Sequence, residues 1–291
     1  REQTFINLRE AALMPKARSK DKTASLLPES LDLTPEQFQA RSTSNFAAQY
    51  LPAGARVLDV GVGSGMIARN LMDGGFKLEA VDIDPARVKE AEAIGIKARV
   101  CDFKDLKGEP YDAILFSRVL HHLQPLRTNI DTTIKMLKPS GIVIVEDFSY
   151  ERVDSRTCAW LFPLAKMLKD RQEPKAGQAS RHSWLCEQAV SQASSPEEYV
   201  RQALHSWRHH HEEKHNITPF EHIKSVMQDN FRFLLDARVP YLFRYLADLL
   251  PHTMDGGKLA CELAHGEAAL AESGAIAPVG VRLVAKPKKK N

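Results

Sequence analysis

Two parts of the chain hold residue types that can do chemistry. The first is Trp207-Arg208-His209-His210-His211-Glu212-Glu213-Lys214-His215, which contains His-Glu-x-x-His. On a helix, that spacing sets two histidines one turn apart, where a zinc ion could sit beside a general-base glutamate. Against this, the intervening Glu213 and Lys214 are charged, and no third ligand follows at a recognisable spacing. No metal site is therefore expected. Helical spacing suggests another use: Val200, Leu204, Trp207, His211 and His215 fall on one stripe. That stripe predicts that His211 and His215 point inward, either as packed histidines or toward a substrate.

The second part is a series of polar features, each following a short apolar run. Asp59-Val60-Gly61-Val62-Gly63-Ser64-Gly65 alternates glycine as GxGxG, so the backbone can turn tightly and approach a ligand closely. A pyrophosphate fingerprint would need glycine at position 66, which is Met66. Asp82 ends the next apolar run and could accept both hydroxyls of a ribose, while Asp84 is placed to cap the helix that follows. In Cys101-Asp102-Phe103, the carboxylate could accept from an exocyclic amine and the ring could cover a purine face. Phe116-Ser117-Arg118-Val119-Leu120-His121-His122-Leu123 brings two histidines, the natural bases near neutral pH, to a fourth loop.

These loops need a scaffold, and hydrophobic periodicity supplies one. Short strands are expected at 57–60, 78–81, 97–100, 113–116 and 142–145. Helices are expected at 35–49, 64–72, from Asp84-Pro85 onward, and at 127–137, with a turn at Lys138-Pro139-Ser140-Gly141. Such alternation implies a parallel sheet with helices on both faces, which places the four loops at the carboxyl ends of its strands. The alternation stops after Glu146. Residues 151–218 pattern as helices; then come a helix at 219–228, a strand at 231–239, helices at 241–250 and 257–273, and a strand at 279–285.

Taken in order, the glycine loop, Asp82, Asp102-Phe103, Ser117 through His122-Leu123, and Leu137-Lys138-Pro139-Ser140-Gly141 resemble the class I S-adenosylmethionine-dependent methyltransferases, closest to their broad type 11 group. The resemblance covers about residues 45–147. It implies an α/β, doubly wound, Rossmann-like sheet of seven strands. It further implies that Asp59 and the Gly61, Gly63, Gly65 loop hold the methionine end of S-adenosyl-L-methionine, Asp82 the ribose, and Asp102 with Phe103 the adenine, with Ser117 also lining the cofactor. The implied reaction is in-line methyl transfer to a small, partly apolar acceptor, with His121, His122 or His211 as candidate catalytic residues. Amino-group methylation of bases is disfavoured, because Ser117-Arg118-Val119 stands where such enzymes carry Asn/Asp-Pro-Pro-aromatic. An RNA or protein methyltransferase, or a non-catalytic cofactor-binding protein, are the alternatives on the same fold.

Domain organisation follows: an N-terminal arm and helix over 1–45, a cofactor-binding core over 46–150, a helical lid insertion over 151–218, and completion of the sheet over 219–291 with a solvated basic tail at 286–291. A net charge of only +3 gives no general field for nucleic acid. Four cysteines without a CxxC pair suit free thiols in a reducing, cytoplasmic compartment, and no apolar run is long enough to span a bilayer. The sequence opens at Arg1, so an upstream targeting segment stays open, as does a homodimer.

Overall fold

The computed structural model describes residues 32–170, 182–187 and 193–288. The arm expected over the first thirty residues, two stretches of the expected lid (171–181 and 188–192) and the last three residues of the basic tail lie outside the described residues.

The first described element is α1 (Pro35–Ala48), capped by Thr34 and Gln37 in a reciprocal capping box. Then β1 (Arg56–Val60), α2 (Met66–Asp73), β2 (Lys77–Asp82), α3 (Pro85–Ala93), β3 (Lys97–Val100), β4 (Tyr111–Ser117), α4 (Leu126–Met136) and β5 (Leu137–Phe148) alternate as expected. After β5 come α5 (Ser155–Asp170), α6 (Trp184–Glu187), α7 (Pro196–Arg208) and a π-helix (His209–Lys214). The sheet is completed by α8 (Phe220–Asn230), β6 (Phe231–Val239), α9 (Phe243–Ala247), α10 (Met254–Glu272) and β7 (Gly280–Pro287).

The seven strands lie in the order β3-β2-β1-β4-β5-β7-β6, with β7 antiparallel to both neighbours. Chain order reverses between β1 and β4, and that switch point opens a crevice at the strand carboxyl ends. Side chains alternate across the sheet. Leu58, Val60, Ile114, Phe116, Val143 and Val145 pack beneath α4 and α8, whereas Val57, Ala113, Leu115, Ile142 and Ile144 meet α1, α2 and α3. Central parallel strands covered on both faces must be apolar throughout, which is why these runs are legible in the sequence.

Three boundaries differ from expectation. The turn at Lys138–Gly141 lies inside β5: Tyr111 pairs with Leu137 but Ala113 with Ile142, so the turn bulges out of a continuous strand. The helix expected over 241–250 is only the short α9. The basic tail begins later than expected, because Lys286 and Pro287 pair with Arg232 and Phe231 as the end of β7.

Candidate active site

At the end of β1 the chain turns through Gly61 at φ +73°, in the left-handed region. A Cβ there would also come within 2.7 Å of Val119 Cγ2, so glycine is needed for conformation and for closeness to the β4 loop. The Gly63 amide donates to Asp82 Oδ2 at 3.4 Å, tying the glycine loop to β2. Asp82 Oδ1 accepts from the Asp84 amide at 3.0 Å. Asp84 itself caps α3, accepting from Ala86 at 2.8 Å, and so leaves Asp82 to the crevice.

Asp59 is 2% exposed, and its Oδ1 has no hydrogen-bond partner among the described residues. Burial pushes its carboxyl up to about 7; Arg118 pulls against that shift and Asp82 adds to it. Ser117, buried at the end of β4, also has an unpartnered Oγ. Asp102 caps the short 3-10 turn Phe103–Asp105, accepting from the Lys104 amide at 3.3 Å and pairing with the Lys104 ammonium.

Phe103 departs from its expected place. Its ring is 2% exposed and packs edge-on against Phe116, 5.3 Å between centroids, within the core. The 3-10 turn places it in the core cluster beneath the sheet. Ile83, directly after Asp82, is instead 72% exposed. Sequence reasoning passed over it, because one isoleucine after a strand carries no periodic signal.

On the β4 loop, His121 is buried and its Nδ1 lies 2.6 Å from Asp147 Oδ1. That oxygen also accepts from the Phe148 amide at 2.9 Å, so Nδ1 is the donor and Nε2 keeps its lone pair. Asp147 is fully buried at the carboxyl end of β5, and its Oδ2 has no partner. A histidine oriented by a buried carboxyl is a built proton acceptor. Asp147 was missed because the expected strand stopped at Val145, short of it. His122 is exposed, with its ring 4.2 Å from that of His121.

The helices after β5 place His211 differently from expectation. It is 3% exposed, with Nδ1 donating to the Trp207 carbonyl at 2.7 Å and Nε2 accepting from the Tyr245 hydroxyl at 2.8 Å. Burial holds its pKa down at about 3. Nδ1 is engaged by its own helix and Nε2 by Tyr245 of α9, so His211, expected as a candidate catalytic residue, is held in packing with both ring nitrogens bonded. His215 is exposed, although the helical stripe predicted it inward. The π-helix explains this: its bonds run i to i+5, so His210 and His215 become neighbours, with rings 4.4 Å apart. Among the described residues no group of three His, Cys, Asp or Glu could hold a metal ion.

Aromatic contacts tie the end of β5 to α9 and to the π-helix. Phe148 stacks on Tyr241 at 4.7 Å and 12°, and Tyr150 on His211 at 5.4 Å and 9°. The Thr218 amide donates to the His121 carbonyl at 3.0 Å, fastening the chain after the π-helix to the β4 loop. A groove of about 690 Å³ lies elsewhere, between α5 and α7, and holds none of these site residues.

A family model described as methyltransferase domain matches residues 36–235, from α1 into β6. The chain belongs to the methyltransferase domain family. Within it, this methyltransferase-domain chain is 33% identical over 102 residues to the ubiquinone biosynthesis O-methyltransferase of Xylella fastidiosa (strain 9a5c), covering 32% of the chain and 42% of that relative. The enzyme of the same name from Caulobacter vibrioides is 29% identical over 119 residues, covering 38% and 47%. The chain thus spans less than half the length of these relatives. The fold also matches the PH0226 protein of Pyrococcus horikoshii OT3 (TM-score 0.50, 14% identity, 87% of this chain and 91% of that one). It matches the [4+2]-cyclase SpnF equally (TM-score 0.50, 18% identity, 87% and 83%). No described helix is long and apolar enough to cross a membrane.

Proposed function

We propose that this methyltransferase-domain protein transfers a methyl group from S-adenosylmethionine to a hydroxyl of a small, partly apolar acceptor, with His121 as the base. The observation that carries this reading is the His121–Asp147 pair, which leaves a free Nε2 on the loop beside the glycine turn. The residues present suit the cofactor: an unpartnered Asp59 Oδ1 for its ammonium, open backbone at Gly63, Asp82 for the ribose, and exposed Ile83 for a purine face. When bound, the cofactor supplies the electrophilic methyl on its sulfonium. His121 Nε2 takes the acceptor proton, and Asp147 holds the ring's tautomer and balances the imidazolium. The described parts of 151–218 serve as a lid that excludes water, and their apolar side chains pack in one buried cluster with Phe148, Tyr241 and Tyr245 beside His121.

A second reading keeps the ligand and changes the chemistry. It is favoured by the equal structural match to a cyclase, since one fold hosts unrelated reactions. Titration calorimetry with S-adenosylhomocysteine tests the cofactor site alone; no heat at high micromolar ligand removes both readings. Turnover of phenolic acceptors separates them. His121→Ala is expected to lower kcat by about 10²–10⁴ with cofactor affinity unchanged, and an unaltered kcat ends the base assignment.

A further inference from the structure

Behind the β4 loop, two buried arginines share one carboxylate. Glu146, 1% exposed, accepts from Arg244 Nη2 at 2.5 Å, Arg282 Nε at 2.7 Å and Thr43 Oγ1 at 2.5 Å. The two arginines are 4% and 3% exposed, so one carboxylate serves two buried guanidinium groups. Arg244 Nε and Nη1 have no hydrogen-bond partner among the described residues; the Phe243 and Tyr241 rings lie 5.1 and 5.6 Å from its Cζ. A third cation, Arg118, stands near enough for its field to act on Asp59, Glu146 and Arg244 together. Among the described residues its one hydrogen bond to a side chain is a long 3.4 Å contact to Gln39 Oε1. A guanidinium group with few acceptors beside a partly closed crevice favours a ligand that brings one.

We propose that Arg118 is a carboxylate-binding residue of this crevice. It is the half-buried member of the three, so a ligand reaches it where Arg244 and Arg282 are closed off. Its planar fork matches a carboxylate in two parallel hydrogen bonds. It lies on the same loop as His121 and holds φ +58°, a strained conformation for a residue with a side chain. The carboxylate has two sources: the amino-acid end of the cofactor, or an acidic group on the acceptor. The inference rests on the cofactor reading above.

Both sources are testable with Arg118→Gln and Arg118→Lys, each checked for unchanged Tm. S-adenosylhomocysteine carries the amino-acid carboxylate and 5′-methylthioadenosine lacks it. For the cofactor source, Arg118→Gln weakens the first by about tenfold or more and leaves the second unchanged, with Arg118→Lys between. For the acceptor source, both adenosyl ligands bind as before. The cofactor-saturated protein's preference for benzoate over benzyl alcohol then disappears in Arg118→Gln. If neither comparison moves in a folded variant, the assignment is wrong. If the unaltered protein binds neither adenosyl ligand, the cofactor reading fails first and takes this proposal with it.

Discussion

Asp59 shows how much one residue's surroundings decide. Its place before the glycine turn is readable from the sequence, but its burial and its unpartnered Oδ1 are not. With its carboxyl near 7 in the free protein, binding an ammonium-bearing cofactor favours the ionised form and expels a proton at lower pH. Affinity is therefore full above pH 7 and falls as pH drops, by about tenfold per unit. Calorimetry with S-adenosylhomocysteine between about pH 5.5 and 8.5 checks this, and Asp59→Asn should flatten the slope. A dissociation constant already flat in the unaltered protein would refute the coupling. The two adjacent histidines teach the same lesson. Spacing could not distinguish His121 from His122, and of the two it is His121 that meets Asp147, brought in by β5.

At the scale of elements, periodicity located most strands and helices, because each buries one face or both against the sheet. It failed where an element depends on distant chain. Short α9 is started by Glu267 of α10, whose buried carboxylate accepts from the amides of Tyr241, Leu242 and Phe243 at 2.7, 2.9 and 2.7 Å. Such a cap leaves no local sequence signal. Glu267→Ala is expected to cost about 3–5 kcal/mol, since three buried amides lose their acceptor. Urea unfolding measures it, and a loss below about 1 kcal/mol would mean that water or a neighbouring group replaces the carboxylate. The π-helix is a similar failure: an i to i+4 pattern was sound for an α-helix, and the extra residue per turn moved His215 out to solvent.

For the whole molecule, Glu146 joins α1, β5, β7 and α9 through Thr43, Arg282 and Arg244. Burial opposes its charge, but the two arginines and the Thr43 hydroxyl outweigh burial and hold the carboxyl at about 2. A depressed carboxyl stabilises the fold above its unfolded pKa of roughly 4.3 and loses that contribution as pH falls toward 2. The contribution is about 3 kcal/mol. Glu146→Gln leaves two buried guanidinium groups with a neutral partner and should cost about 3–5 kcal/mol at pH 7. The gap between the two proteins should then narrow between about pH 4.5 and 2. A gap that stays constant with pH would show that packing, and not charge, is what the substitution removes.

The sequence alone determined the alternating strands and helices, the sheet class, and the order of polar loops along one edge. Those properties are local: a run buried on both faces must be apolar, and a tight turn must admit glycine. Only the tertiary structure decided which of those polar residues face the crevice. It sent Phe103 into the core, left Ile83 outside, gave His121 its carboxyl and enclosed His211 between Trp207 and Tyr245. Each of those outcomes depends on a partner tens of residues away or on the rotation of a short turn, and spacing along the chain records neither.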